Sequence, residues 1–371
     1  MSEHDEAVRP RTSPIHDVHM ENGGQMVAYA GWSLPVRFPS GIIAEHNWCR
    51  TKAVLFDVSH MGQVRLSGPD LAAALEALVP GNIVGLAPGK ARYTMFTNDT
   101  GGVLDDIIVS NLGDALFVVV NGARREADLA HLRRHLEPGI AVEEFTDRGL
   151  LAFQGPAAGA VLADLAPPSA ELRFMETAEM ELAGARCRVS RMGYTGEDGF
   201  EISVHRDAAP DVARALLASD DVCPAGLGAR DSLRLEAGLC LYGQDIDETT
   251  TPIEAQLQWS IAKRRRAEGG FPGAEIICRQ LADRPERLLV GIKPEGRAPA
   301  REQTPIQDTA GNRIGVVTSG VFGPTVDGPV AMGYVEAGFA EPGTEIALLV
   351  RDKPRPATVV KPPFCPHRYK H

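Results

Sequence analysis

The fold class this sequence predicts is α+β, built mainly from antiparallel sheets and divided among two or three domains. Three observations carry that expectation. Strand-like runs gather in three clusters with occasional helices between them, and no regular βαβ alternation occurs. At 371 residues the chain exceeds what one hydrophobic core usually supports. Its 38 glycines and 27 prolines are spread without a period, which signals many tight turns and excludes a collagen-like repeat.

In the first cluster, Val64–Leu66, Arg92–Thr97, Ile107–Ser110 and Leu116–Asn121 are β-branched or aromatic runs bounded by Gly, Asn and Asp. The last two make a predicted hairpin, with Asn111, Gly113 and Asp114 supplying the turn. Apolar residues at helical spacing mark Pro69–Val79. A helix is also expected over Gly122–Leu136, with Leu129, Leu132 and Leu136 toward one side. The second cluster holds Leu150–Gln154, Arg186–Arg191 and Phe200–Val204, followed by helical patterns at Pro210–Ala218 and Gly226–Ala237. The third holds Arg287–Ile292, Ile314–Thr318, Ala331–Val335 and Glu345–Arg351. Glu268–Pro272 reads as a boundary before it, and Lys293–Thr304 as an exposed loop within it.

Composition narrows the function classes. The chain is 44% hydrophobic and 23% charged, enough to bury a core, so disorder is excluded. A net charge of −11 argues against a protein that coats nucleic acid, which needs clustered positive charge. No apolar run reaches the roughly 18 residues of a transmembrane helix, so no membrane partner is expected. Glu3, Asp5 and Glu6 make the start unlike a secretory signal or an acid-poor presequence. The expected compartment is a bacterial cytoplasm, with the mitochondrial matrix only after removal of a presequence. The 6 cysteines are widely spaced and form no CxxC pair, which fits a reducing compartment and buried, inert thiols. GxGxxG, GxxxxGK[ST] and GxSxG are all missing, so neither nicotinamide nor flavin chemistry, a P-loop nor a nucleophile elbow is expected. His131 and His135 are one helical turn apart, but Arg133 and Arg134 separate them; they read as a solvated face, and no metal is expected.

Three segments offer chemistry. In FTNDTGGVLDDIIVSN, Asp105 and Asp106 stand directly before an apolar strand, so alternation turns one carboxyl inward and the other to solvent. Such an acid either caps the turn or has a tuned proton affinity suited to proton transfer. In SRMGYTGEDGFEISV, Glu201 falls on the strand face opposite Phe200 and Ile202. It is either an exposed strand residue or a carboxylate able to accept two parallel N–H bonds from an aminopyrimidine-like edge. In GLGARDSLRLEAG, Arg230 and Arg234 share a helix face at i and i+4. They either grip a carboxylate or are neutralised by Asp231 and Glu236. The basic run Lys263–Arg266 is a further candidate for meeting an acidic partner.

The series MVAYAGWSLPV, LFDVSHMGQVRLSG, FTNDTGGVLDD, LLAFQGP, GYTGEDGFEIS, GLGARDSLRLEAGLCLYGQDIDETTTPIE and GVVTSGVFGP resembles the T-protein family of the glycine cleavage system from about Pro14 to Tyr369. The resemblance implies a three-domain cloverleaf around a central folate channel. Residues 1–56 and 147–275 would form a discontinuous domain, 57–146 an inserted α+β domain, and 276–371 a C-terminal β-barrel. It implies transfer of a one-carbon unit from the aminomethyl-lipoyl arm of H protein to tetrahydrofolate, with release of ammonia. In that family the second Asp of the GGxxDD motif, Asp106 here, is the key acid. Glu201 matches the pterin-binding carboxylate and Arg230 the folate-binding arginine. Met61, Tyr93, Asn121, Tyr194 and Tyr369 match other positions lining the family's cavity. Two neighbouring functions share the fold: a folate-dependent demethylase, and a folate-binding accessory of iron–sulfur proteins that carries a KGCYxGQE-like motif. Here Cys240 sits in AGLCLYGQDI, which fits the T-protein pattern better.

Overall fold

A computed structural model describes residues 9–371; the acidic start with Glu3, Asp5 and Glu6 lies outside the described residues. Four sheets organise the chain. A small three-stranded sheet is made by Arg11–Thr12, Trp32–Arg37 and Gln25–Tyr29. A six-stranded sheet runs Glu176–Leu182, Ala185–Arg191, Gly199–His205, Arg148–Gln154, Ala53–Asp57, Val222–Pro224. Only its last pair is parallel. A five-stranded antiparallel sheet runs Ala91–Thr97, Val103–Asn111, Leu116–Val120, Gly62–Ser67, Ala141–Glu144. The six strands between Arg287 and Val360 form a closed barrel, sealed by pairing of Arg287–Pro294 with Lys353–Val360.

The five-stranded sheet decides where the candidate acids point. One face packs Val64, Leu66, Phe96, Ile107 and Val109 beneath Leu129, Leu132 and Leu136 of the helix Arg125–Leu136. The other face carries Ile108, Phe117 and Val119 toward a cleft shared with the six-stranded sheet. Leu116–Val120 is therefore covered on both sides, which explains its unbroken apolar run. Asp105 and Asp106 lie inside the strand Val103–Asn111, not before it, because the strand starts four residues earlier than its apolar run suggests.

That strand begins from a pinned turn. The Asn98 side chain accepts bonds from the backbone N–H groups of Thr100 and Gly102 at 3.0 and 2.9 Å and donates to the Glu248 carbonyl at 2.9 Å. The Val103 N–H donates to the carbonyls of Asp247 and Thr250, each at 3.0 Å. A Cβ on Gly102 would lie 1.8 Å from the Glu248 oxygen, so only glycine fits there.

Other expectations change in detail. The strands Glu176–Leu182 and Lys353–Val360, the N-terminal sheet, and the helices Ile42–Thr51, Ala158–Leu165 and Ala274–Asp283 have no counterpart in the sequence reading. Lys293 and Pro294 end a barrel strand, and Ala300 of the expected loop is buried in the barrel core. His131 does not lie on a solvated face. Its ring packs 5.0 Å from Phe96 and 4.6 Å from His135, and burial lowers its pKa to about 4. The cysteines are free, with Cys49, Cys187 and Cys240 buried and the others half-buried.

Candidate active site

Two groups of side chains gather near the cleft between the sheets, whose wall includes Glu201. The first surrounds Asp106. Its carboxyl points to the same strand face as Ile108 and Ser110, both of which line the cleft. The Asn121 side chain, just beyond the neighbouring strand, donates to Asp106 Oδ1 at 2.9 Å and to the Asp106 carbonyl at 3.1 Å. Tyr93 stands on the strand at the other side, with its ring stacked 5.2 Å from that of Trp259. Loss of hydration, followed by the adjacent Asp105, raises the Asp106 pKa to about 7, while Tyr93 and Asn121 hold it down. Asp105 occupies the helix-covered face of the same strand and is completely buried. The two acids thus face opposite ways, as alternation requires, although Asp106 opens onto the cleft and not onto free solvent.

The second group surrounds Arg230 on the helix Leu227–Glu236. Its guanidinium carbon lies 4.8 Å from the Tyr194 ring centroid and 6.0 Å from that of Phe56. Its Nη1 is buried with no hydrogen-bond partner. Burial lowers its pKa, and Glu201 works against that shift. Glu201 belongs to the cleft wall, opposite the core side chains Phe200 and Ile202 of its own strand. Burial raises its pKa, and the Arg230 charge works against that rise. Tyr194 joins the two groups: both the Asp106 and the Arg230 charges act on its phenol, whose hydroxyl donates to the Cys240 carbonyl.

The structure therefore brings Asp106, Asn121, Tyr93, Tyr194, Arg230 and Glu201 together. Met61 packs with Phe56, Phe117 and Val119 in the apolar lining. Tyr369 lies elsewhere in the contact network: it stacks on Phe174 at 4.3 Å, and burial raises its pKa to about 12.

Arg234 has no open hydrogen-bonding group to offer, although its charge acts on the Tyr194 phenol. It is 1% exposed, paired with Asp231 at 2.8 Å and Asp245 at 2.7 Å, and it donates to Ser319 at 2.9 Å. Glu236, a suggested partner for these arginines, instead binds Arg50 at 3.0 Å and His46 at 3.1 Å. The basic run Lys263–Arg266 is also largely consumed. Arg264 pairs with Glu76 and Glu268, Arg265 donates to the Glu76, Val79 and Gly270 carbonyls, and Arg266 donates to those of Ile261 and Gln258.

Sequence reasoning missed three residues at the rim. Trp259 is 64% exposed although it covers Tyr93. Tyr29 is exposed and meets the His60 ring edge-on at 5.4 Å. Burial, then Arg230, lowers the His60 pKa to about 4, and its Nδ1 has no partner. Trp259 lies outside every motif named above; Tyr29 falls within MVAYAGWSLPV and His60 adjoins Met61 in FDVSHMG, but neither stands out there as a site residue.

Among the described residues no group of three or more His, Cys, Asp or Glu side chains converges to hold a metal, and no helix is long and apolar enough to cross a membrane.

Comparison with known proteins places the chain in one family. Residues 15–265 match the family described as GCVT N-terminal domain, and residues 287–365 match the glycine cleavage T-protein C-terminal barrel domain. The mitochondrial aminomethyltransferase of Homo sapiens is 48% identical over 367 residues, covering 97% of this chain and 91% of that protein. Its counterpart from Flaveria trinervia is 44% identical over 365 residues, covering 96% and 89%. The crystal structure of the glycine cleavage system aminomethyltransferase T from Bartonella henselae superposes with a TM-score of 0.93 at 41% identity, covering 97% of this chain and 99% of that one.

Proposed function

The chain belongs to the glycine cleavage T-protein family and is an aminomethyltransferase; on that premise we propose that it moves a one-carbon unit from an aminomethyl-lipoyl arm, presented by H protein, to tetrahydrofolate. The observation that carries this reading is the buried Nη1 of Arg230, which has no hydrogen-bond partner, with the Glu201 carboxylate acting on it and Asp106 on the facing sheet. A buried guanidinium without a partner is costly unless a ligand completes it. Arg230 suits the negatively charged glutamyl tail of a folate, and the two oxygens of Glu201 suit the aminopyrimidine edge of its pterin. Met61, Tyr93 and Tyr194 offer flat or polarizable surfaces for the rings. Tetrahydrofolate, when bound, supplies the nitrogen that accepts the carbon unit.

Within that reading, Asn121 fixes the Asp106 carboxyl and aims it into the cleft. A carboxyl with a pKa of about 7 is poised to hold or release a proton at working pH, and when ionised it favours cationic character nearby. Tyr369 is assigned to the cavity rim only by its match to the family pattern. The partition into 1–56 with 147–275, 57–146 and 276–371 is supported by sheet membership: the six-stranded sheet draws on 53–57 and on 148–224, and the five-stranded sheet on 62–144. Free thiols support a reducing compartment, a bacterial cytoplasm or a mitochondrial matrix. The buried Cys240, its thiol pKa raised chiefly by burial, supports the aminomethyltransferase over an accessory protein that works through that cysteine.

The test is ammonia release from aminomethyl-loaded H protein by the purified protein. Release that requires tetrahydrofolate is the expected result. Release no greater than the folate-free control overturns the proposal.

A further inference from the structure

Behind Asp106, on the helix-covered face of its strand, lie two carboxyls that the proposed chemistry does not use. Asp105 is 0% exposed and Asp128, in the first turns of the helix Arg125–Leu136, is 1% exposed. Asp105 spends both oxygens on Asn121: the backbone N–H donates to Oδ2 at 2.9 Å and the side-chain Nδ2 to Oδ1 at 3.0 Å. That same Nδ2 holds Asp106 Oδ1 at 2.9 Å. Asp128 Oδ2 is sealed from water and has no donor. The cation that acts on Asp128 is Arg124, whose Nη2 pairs with Glu248 at 2.8 Å and whose guanidinium lies 5.4 Å from the Tyr242 ring; its Nε is buried without a partner and makes no bond to Asp128. Asp105 and Asp128 lie within hydrogen-bond reach of each other, and burial raises the pKa of both. Two buried carboxyls in contact, one with an orphaned oxygen, do not both ionise; a proton between them removes the repulsion and supplies the missing donor.

We propose that Asp105 and Asp128 share one proton, carried on Asp105, and that Asp128 is a positioning residue that keeps Asp105 neutral so that Asp106 is the carboxylate Asn121 presents to the cleft. Asp128 touches no substrate. It acts through Asp105 and Asn121, and no proton leaves the pair during turnover. The other titratable groups facing Asp106 are Tyr93, Tyr194 and Cys240, whose raised pKa values leave them neutral; Arg124 and Tyr242 face the pair itself. With Asp105 neutral, the one negative charge of the pair sits on Asp128, behind Asp105, where it acts on Asp106 from farther away, and none of the other neighbours adds another. The inference rests on the reading above only for its kinetic arm.

Asp128→Asn tests it. The new amide donates to Asp105 and fixes Asp105 as a carboxylate beside Asp106. The acid limb of kcat/KM then moves up by about one pH unit. The loss is roughly tenfold at pH 6 and vanishes at pH 9, with the KM for tetrahydrofolate unchanged. Asp128→Leu offers no donor, so burial keeps Asp105 neutral and the limb stays at its wild-type position. A merely structural role would instead lower activity equally at every pH in both variants. A second arm needs no activity. In the Asp106→Asn protein at pH 8, infrared spectroscopy is expected to show a protonated-carboxyl band that Asp128→Asn removes. If that double variant does not fold, Asp105→Asn serves in its place. An acid limb unmoved in Asp128→Asn, or a band unchanged by either substitution, overturns the proposal. Absence of folate-dependent turnover in the wild type would instead remove the functional reading and leave the infrared result to stand alone.

Discussion

Arg230 and Arg234 stand one turn apart on the same helix, and the molecule treats them in opposite ways. Arg234 is fully enclosed by Asp231, Asp245, Ser319 and the Leu239 carbonyl. Arg230 feels the Glu201 charge, has aromatic faces beside it, and keeps a buried N–H with nothing to bond. Both guanidiniums are costly to remove from water. Where the protein completes the hydrogen bonds itself, the charge joins the helix to the barrel strand that carries Ser319. Where it leaves them open, a ligand has to complete them. Burial alone does not distinguish the two charges; the open hydrogen bond of Arg230 does.

The sharpest break in this comparison comes from the acid side of the cleft. Asp106→Asn is expected to reduce turnover by about 10²–10⁴-fold while tetrahydrofolate binding stays within a few fold. Stopped-flow turnover and equilibrium binding separate the two, and equal losses in both would show that Asp106 only binds. Next comes Arg234→Met, which leaves Asp245 buried without its cation and should cost about 3–5 kcal/mol in denaturant unfolding. Arg230→Met should do the reverse. Tetrahydrofolate affinity falls by about 10–100-fold, yet the ligand-free protein melts no lower than wild type, because an uncompensated charge has been removed. A lower melting temperature for Arg230→Met than for Arg234→Met would undo the contrast.

pH provides a fourth measurement. An acid whose pKa is raised by folding, as for Asp106, makes the native state bind more protons than the unfolded one. Its effect on stability is therefore unfavourable and grows as pH rises from about 4 to about 7. Glu236 has the opposite sign. Burial is outweighed by its bonds to His46, Thr325 and Arg50, which depress its pKa to about 2. The stability it supplies is present above about pH 4.3 and is lost as pH falls toward 2. Thermal melts should thus show Asp106→Asn gaining on wild type from pH 4 to pH 8, and Glu236→Gln losing its deficit below pH 4. The smallest effect belongs to the exposed Arg214–Glu21 pair, where Arg214→Ala should leave the melting temperature indistinguishable from wild type.

What the sequence made legible follows the range of the interactions. Strand alternation placed Glu201 on the face opposite Phe200 and Ile202 and separated Asp105 from Asp106, because neighbouring residues alone decide those directions. The same reasoning could not distinguish Arg230 from Arg234. Helical spacing puts both on one face, and Ser319, which helps to enclose Arg234, comes from a barrel strand 85 residues away. The basic run Lys263–Arg266 looked available for the same reason, since the Glu76 that takes Arg264 is 188 residues distant. Asp128 gave no signal beyond an acid in the first turns of a helix, which ordinarily answers the helix dipole at the surface. The family pattern reached Asn121 and Tyr93, whose importance depends on which strands become neighbours.

The turn at Gly101–Gly102 sets the accuracy of the site as the pivot of a lever does. From Gly102 the strand runs four residues to Asp106, about 13 Å at strand rise. A tilt of about 10° at the pivot would displace the carboxyl by about 2 Å. Misplacement by about 1 Å can already cost a hundredfold in rate. A methyl group at Gly102, pressed against the Glu248 carbonyl far from any substrate, would therefore be felt mainly as lost alignment across the cleft.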